Sequence, residues 1–205
     1  DQGPQMLWMK KYQPEILKES ATVFHCKDWL YFNLTGVRAT DPTESVFSCG
    51  DFRKRDFSDE VIELLGLNEQ KALFPKVVDG TKVSHPLSDN VAGLCGLQSG
   101  IPVVLGYVDV ICTALGSGLY DPGYQTGCTI IGSTGMHMRY VDSVDEVKLN
   151  QESTGYTMVF PVDGTYSQMQ SNMAATLNID WMLDLAIDVL KFQGIKKNRS
   201  DLLKD

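Results

Sequence analysis

The stretch IPVVLGYVDVICTALGSGL, residues 101–119, decides the fold. Residues 102–105 are short, β-branched and preceded by the turn signal Ser99-Gly100, the pattern of a buried strand. Residues 110–119 suit a helix built from small side chains. Asp109 therefore falls where a strand ends, at the carboxyl edge where open α/β sheets bind ligands. A carboxylate there can accept a proton from a substrate hydroxyl. It can equally be the N-cap of the helix that follows, and this stretch alone leaves both roles open.

Tyr120-Asp121-Pro122-Gly123 reads as a turn, after which GCTIIGSTG, residues 127–135, runs as a strand into a corner made of Gly132, Ser133, Thr134 and Gly135. Glycines let a backbone approach phosphate oxygens closely, and successive N–H groups with two hydroxyls supply donors. A tight turn uses the same residues. The corner gains weight from its place, one short helix and one turn after Asp109.

Taken together, these elements resemble the FGGY carbohydrate kinases, within the actin-like and hexokinase-like ATPases, and the resemblance runs from Met6 to about Lys191. Met6-Leu7-Trp8-Met9 with Gln13-Pro14-Glu15 looks like the family's LW helix and P-E turn. Lys27-Asp28-Trp29-Leu30, Leu34-Thr35-Gly36 and Ala39-Thr40-Asp41 look like its KDWL, LTG and TD elements. Leu64-Leu65-Gly66-Leu67, Phe74-Pro75, Gly96-Leu97 and Gly100-Ile101-Pro102-Val103-Val104 follow in the family's order and lead into GYVD and the glycine corner.

The resemblance implies an α/β, actin-like and RNase H-like ATPase fold, present in part: residues 1–122 as the end of a sugar-binding first domain, residues 123–205 as the start of a nucleotide-binding second. It implies ATP and Mg²⁺ as cofactors, a small sugar or polyol as substrate, and Asp109 as catalytic base. Gly132, Ser133, Thr134 and Gly135 fall on the second phosphate element, in the order G-S-T-G where the family has G-T-S-G. Tyr107, beside the base, is a candidate for shaping the substrate pocket, though an aromatic there also suits packing. Arg53 and Arg55 lie on a segment whose family counterpart is near the sugar side of the cleft.

The family's first phosphate loop and adenosine motif have no counterpart in these residues, so the chain reads as the middle portion of a longer kinase. GYVDV and TDPTE, residues 106–110 and 40–44, look closest to the erythritol kinase branch, with xylulose or L-xylulose kinase as runner-up. A non-catalytic binding segment is the competing class.

Composition agrees with a globular piece. The chain has 205 residues, 43% hydrophobic, with net charge −8. That charge disfavours nucleic acid, and no apolar run is long enough to span a bilayer, so a cytoplasmic location with no nucleic-acid or membrane partner is expected. A homodimer is left open. Five cysteines without CxxC spacing read as buried free thiols. His25, His85 and His137 read as isolated, so no metal site is assigned to them.

The first ninety residues read as helices and loops: 6–12, 14–19 and 27–34, the last stopped by Gly36. Their Trp, Phe and Leu side chains read as core. Ser58-Asp59-Glu60 supplies a cap and acidic first turn for another helix, and residues 51–56 form a loop or solvated face. Residues 126–141 and 156–162 are strand-like. Trp181, Leu185 and Val189 recur at helical spacing, with Asn178 as cap.

Overall fold

The computed structural model describes residues 2–120, 127–149, 151–152 and 154–203. Apart from Tyr120, the expected turn at residues 120–123 lies outside them, as does the division at 122/123.

Local chemistry sets most helix ends. The chain opens with α1 (Gln2–Tyr12) and α2 (Pro14–Glu19), whose first residue is a proline, pre-set for a helix start. In α3 (Cys26–Thr35), Gly36 takes φ 77° and closes the helix by donating its N–H to Phe32 O at 2.7 Å. A β-carbon is strained in that left-handed conformation, which is why the stop was legible. After β1 (Ala39–Thr40), α4 (Pro42–Cys49) starts with Asp41 accepting the Thr43 N–H, and with Pro42 in its first turn.

The hairpin β2 (Gly50–Asp51) and β3 (Asp56–Phe57) precedes α5 (Asp59–Leu64), where the Ser58 hydroxyl accepts the Val61 N–H as expected. A 3₁₀ turn at Asn68–Leu73 leads to β4 (Lys76–Val77), β5 (Ser84–Pro86), α6 (Asp89–Cys95), β6 (Pro102–Val104) and α7 (Asp109–Gly116). Then come β7 (Gly127–Ile131), β8 (Gly135–Val141), β9 (Tyr156–Val159), β10 (Tyr166–Asn172), α8 (Thr176–Phe192) and α9 (Arg199–Leu202).

Strands β7-β8-β10-β9 form one antiparallel sheet, with Met138 opposite Met169. Met138, Val141, Met158, Val159, Phe160, Tyr166 and Met169 pack there in one core with Tyr107, Ile111, Ala114 and Leu119 from the α7 region. A second core gathers Met6, Cys49, Ile62 and Leu67, and a third Tyr31, Ala39 and Leu105. The α/β class holds.

Several expectations need correction. The first ninety residues contain five short strands besides helices. Two-residue strands carry no period-2 signal and exist through distant pairing, as Ala39 with Lys76 in the parallel β1–β4 ladder. Strand β10 was missed as well; its polar half, Gln170-Ser171-Asn172, lacks a strand's apolar alternation. Strand β6 ends at Val104 and is not buried, because it pairs only with β5 among the described residues. Trp8, Trp29 and Leu30 are exposed; Met6 and Tyr31 are the side chains that α1 and α3 bury in the cores instead. Three of the cysteines, Cys26, Cys95 and Cys112, are exposed, while Cys49 and Cys128 are buried; all five are free.

Helix α8 begins two residues before Asn178, whose amide donates to Ala174 O at 2.8 Å. Its start is organised from outside: Ala175 and Thr176 donate their N–H groups to Ser133 O and Gly132 O at 2.9 and 3.0 Å. No residue of α8 is buried, and Trp181 is 63% exposed, so the Trp181, Leu185 and Val189 stripe lies open among the described residues. No helix among the described residues is long and apolar enough to cross a membrane.

Candidate active site

Asp109 is the first residue of α7, separated from β6 by Leu105, Gly106, Tyr107 and Val108. It is neither at the strand's last residue nor the helix cap; Val108 holds the cap position. Its carboxylate is exposed, and Oδ1 accepts the N–H of Val110 at 2.7 Å. A solvent-facing carboxylate just beyond a strand's carboxyl end, with a second oxygen open, can take a proton from a bound hydroxyl.

The turn before it is fastened at successive residues. Gly80 lies so close to Leu105 that a β-carbon on it would sit 2.0 Å from the Leu105 carbonyl oxygen, so only glycine fits. Tyr107 is buried, donates its hydroxyl to Asp79 Oδ1 at 3.0 Å, and accepts from the Arg55 guanidinium at 3.1 Å. Burial pushes the Tyr107 phenol well above its ordinary pKa, which keeps it a donor. Burial works to raise the Asp79 pKa too, but bonds from the Thr81 hydroxyl and N–H and from Tyr107, with Lys82 nearby, hold it below the usual value.

Arg55 is not a free ligand group. It also donates to Phe160 O at 2.8 Å, and it adopts φ 56°, a region rare for residues with a β-carbon. That hydrogen-bonded side chain holds the hairpin turn in place against a strain of about 1–3 kcal/mol. Arg53 lies over the Phe52 ring, 4.4 Å from its centroid, with its side chain largely in solvent.

Val108 is held differently. Its N–H donates to the Thr43 hydroxyl at 2.9 Å, and that hydroxyl donates to Asp41 Oδ1. Asp41 pairs with Lys27 at 2.5 Å, and Lys27 with Asp28 at 2.8 Å. Asp28 meets His25 Nδ1 at 3.3 Å, while His25 Nε2 meets Ser48 Oγ at 3.1 Å and Glu44 at 3.3 Å. Burial lowers the Lys27 pKa, but Asp41 and Asp28 outweigh it and raise the value; burial raises that of Glu44. Asp28, His25 and Ser48 follow the order of a nucleophilic triad. Lys27 already neutralises Asp28, however, and Glu44 shares Nε2, so the imidazole is no dedicated base for Ser48.

The histidines are therefore not isolated. His85 Nδ1 lies 2.6 Å from the Tyr31 hydroxyl, and His137 Nδ1 lies 3.1 Å from the Thr129 hydroxyl. Sequence reading missed the Lys27, Asp41 and Thr43 network. The signal was present in KD and TD, charged residues set among apolar neighbours.

Gly132, Ser133, Thr134 and Gly135 form the β7–β8 corner. Gly132 N–H donates to Thr134 O at 2.9 Å and Gly135 N–H to the Asn172 amide oxygen at 3.1 Å. The N–H groups of Ser133 and Thr134 and both hydroxyls remain available among the described residues. No hydrogen bond or ion pair among the described residues joins this corner to Asp109 or Tyr107. An open groove of about 700 Å³ over β8, β9 and β10 is lined by Arg139, Lys148, Tyr156 and Gln168, not by Asp109.

Known proteins resemble this chain in sequence and in fold. Erythritol kinase of Brucella abortus (strain 2308) is 50% identical over 202 residues, 98% of this chain and 39% of that protein. Autoinducer-2 kinase of Yersinia enterocolitica serotype O:8 / biotype 1B is 34% identical over 132 residues, 64% of this chain and 24% of its own length. A crystal structure described as a xyloylose kinase from Brucella ovis matches with TM-score 0.76 and 23% identity, covering 95% of this chain and 37% of that one, and shows the common fold. The chain thus spans 39% of the first relative's length and 24% of the second's. Residues 2–116 match the N-terminal domain of the FGGY family of carbohydrate kinases, and the chain belongs to that family.

Proposed function

We propose that this chain is part of an ATP-dependent kinase that phosphorylates a hydroxyl of a small polyol, with erythritol as the preferred acceptor. The observation that carries the reading is the 50% identity with an erythritol kinase across 98% of the chain. Asp109 would orient and deprotonate the attacking hydroxyl, from an exposed position on a turn that Gly80, Tyr107 and Val108 hold still. Phosphoryl transfer asks a protein mainly to position groups and stabilise charge, and this turn suits the first task.

Mg²⁺ and ATP belong to the same reading. No group of three or more His, Cys, Asp or Glu residues able to hold a metal occurs among the described residues. In the chemistry of such kinases the cation would be held chiefly by nucleotide phosphates and water, with one or two protein carboxylates at most. When bound, it would neutralise charge on the transferred phosphoryl group. The division near residues 122/123 also stays part of the proposal, supported by the family match that ends at residue 116.

The corner at Gly132 to Gly135 carries a second duty that the bonds favour, capping α8 through the carbonyls of Gly132 and Ser133. Phosphate contact is left to the Ser133 and Thr134 N–H groups and hydroxyls. In a Ser133→Ala, Thr134→Ala double variant of the full-length protein, KM for ATP is expected to rise by less than about tenfold, because N–H groups remain. A hydrogen bond to a charged group is worth about 1.5–3 kcal/mol, so a larger rise would assign the contact to the hydroxyls. An unchanged KM would leave capping as the corner's work.

The substrate reading is tested by ADP release from the full-length protein over a panel of acceptors. Erythritol is expected to lead, xylulose epimers to follow, and nucleosides and aldohexoses to trail. A site built to pair several hydroxyls discriminates by up to about 10⁴ against ligands that leave its groups unpaired. Activity confined to glycerol or gluconate would keep the kinase and overturn the branch; no release with any polyol or sugar would favour a non-catalytic segment.

A further inference from the structure

We propose that Thr43 is a positioning residue for the base, setting the place of Asp109 through the backbone of Val108; the inference rests on the reading of Asp109 as base. Val108 caps α7 with no side-chain cap of its own, and its carbonyl accepts from the Ile111 and Cys112 N–H groups at 3.0 and 3.1 Å. Whatever fixes Val108 therefore fixes the first turn of the helix, where Asp109 sits. The Val108 N–H is one of the donors that a helix start leaves without an intrahelical partner. Thr43 supplies that partner from a different helix, at 2.9 Å.

The threonine itself has little freedom. It is fully buried, its hydroxyl hydrogen is committed to Asp41, and its N–H donates to the same carboxylate oxygen at 2.8 Å. With its hydrogen directed at Asp41, the hydroxyl oxygen presents a lone pair to Val108. Asp41, also fully buried, is pinned in turn by Lys27 at 2.5 Å. The chain Lys27, Asp41, Thr43, Val108 thus runs from the start of α3 through the start of α4 to the residue before Asp109. Tyr107 is anchored independently by Asp79 and Arg55, so the two networks hold adjacent residues from different sides.

The test uses the full-length protein. Thr43→Val keeps the shape and removes the hydroxyl, leaving the Val108 N–H unpaired. Because misplacing a reacting group by about 1 Å can cost 10²-fold, kcat is expected to fall by about 10-fold to 10²-fold while KM for ATP stays put. Thr43→Ser, which restores the hydroxyl, is expected to recover most of the loss. A second variant leaves Thr43 intact: Val108 has φ −57°, which suits proline, so Val108→Pro deletes the donor, with some loss of the valine's packing that a thermal melt reads, and should reproduce the fall in kcat. In an Asp109→Asn background, Thr43→Val should cost nothing further.

Wild-type kcat in a folded Thr43→Val or Val108→Pro variant, with Asp109→Asn impaired, would overturn the positioning role and leave the base intact. Wild-type turnover in Asp109→Asn would remove the base and this inference together. Equal loss in Thr43→Ser and Thr43→Val would also count against it, since bulk rather than the hydroxyl would then matter.

Discussion

Asp109→Asn in the full-length protein is expected to lower kcat by about 10²–10⁴-fold, the range for removing a positioned general base, with the melting temperature nearly unchanged. The two halves of that expectation come from separate observations. Asp109 is exposed and contributes to none of the buried cores, so its loss opens no cavity. Its hydrogen bond from the Val110 N–H at 2.7 Å can pass to the asparagine carbonyl oxygen. What asparagine cannot do is take a proton from a hydroxyl. Steady-state kinetics with a saturating polyol, beside a thermal melt, reads both halves. Turnover at the wild-type rate would remove Asp109 from the mechanism.

Lys27→Met is expected to act on stability, by about 3–5 kcal/mol, the cost of leaving buried charge without its partner. Asp28 and Asp41 are both 0% exposed and both lean on this one ammonium group, at 2.8 and 2.5 Å. Methionine matches the length of the lysine stem, so lost packing contributes little. The pH dependence has a definite sign. Burial alone would raise the Asp28 pKa, but the bonds from His25 and Lys27 hold it below the usual 3.8. The wild-type stabilisation from Asp28 is therefore present above about pH 3.8 and drains away as pH falls through the lower folded value. The gap between wild type and Lys27→Met should be widest near neutrality and narrow in acid, as measured by urea unfolding. A gap that does not depend on pH would show that charge is not the cause.

How far the sequence could be read depended on how far apart the partners lie. Gly36, Ser58 and Pro14 act within one helical turn, and each marks a boundary where the residue types imply it. The strand pairs at Ala39 with Lys76 and the Thr43 bond to Val108 join residues distant in sequence, and no local pattern announces them. Trp29 and Leu30 failed as core candidates for a related reason: hydrophobicity says which side chains gain from burial, while the packing of other elements decides which ones obtain it. Asp109 was a candidate by type, neighbourhood and family resemblance, yet its position one loop beyond the strand, and the buried charges joined to that loop, needed three-dimensional placement. Tyr107 was read as a pocket residue, and what its hydroxyl does within the described residues is tie Asp79 to Arg55.

The free thiol of Cys112 lies three residues after Asp109, on the same face of α7. Although exposed, it has a raised pKa, from burial first and then from the Asp41 and Asp109 carboxylates, and its S–H donates to Tyr107 O at 3.4 Å. A thiol kept in its protonated form is a slow nucleophile, so alkylating reagents meet at Cys112 a side chain that is accessible but reluctant. Its rate of labelling is set first by how closely the thiol is packed and only then by the negative charge around it. Cys112 is thus a chemical clock for this turn, running slowly while the thiol stays packed against the Tyr107 carbonyl and faster once the turn opens.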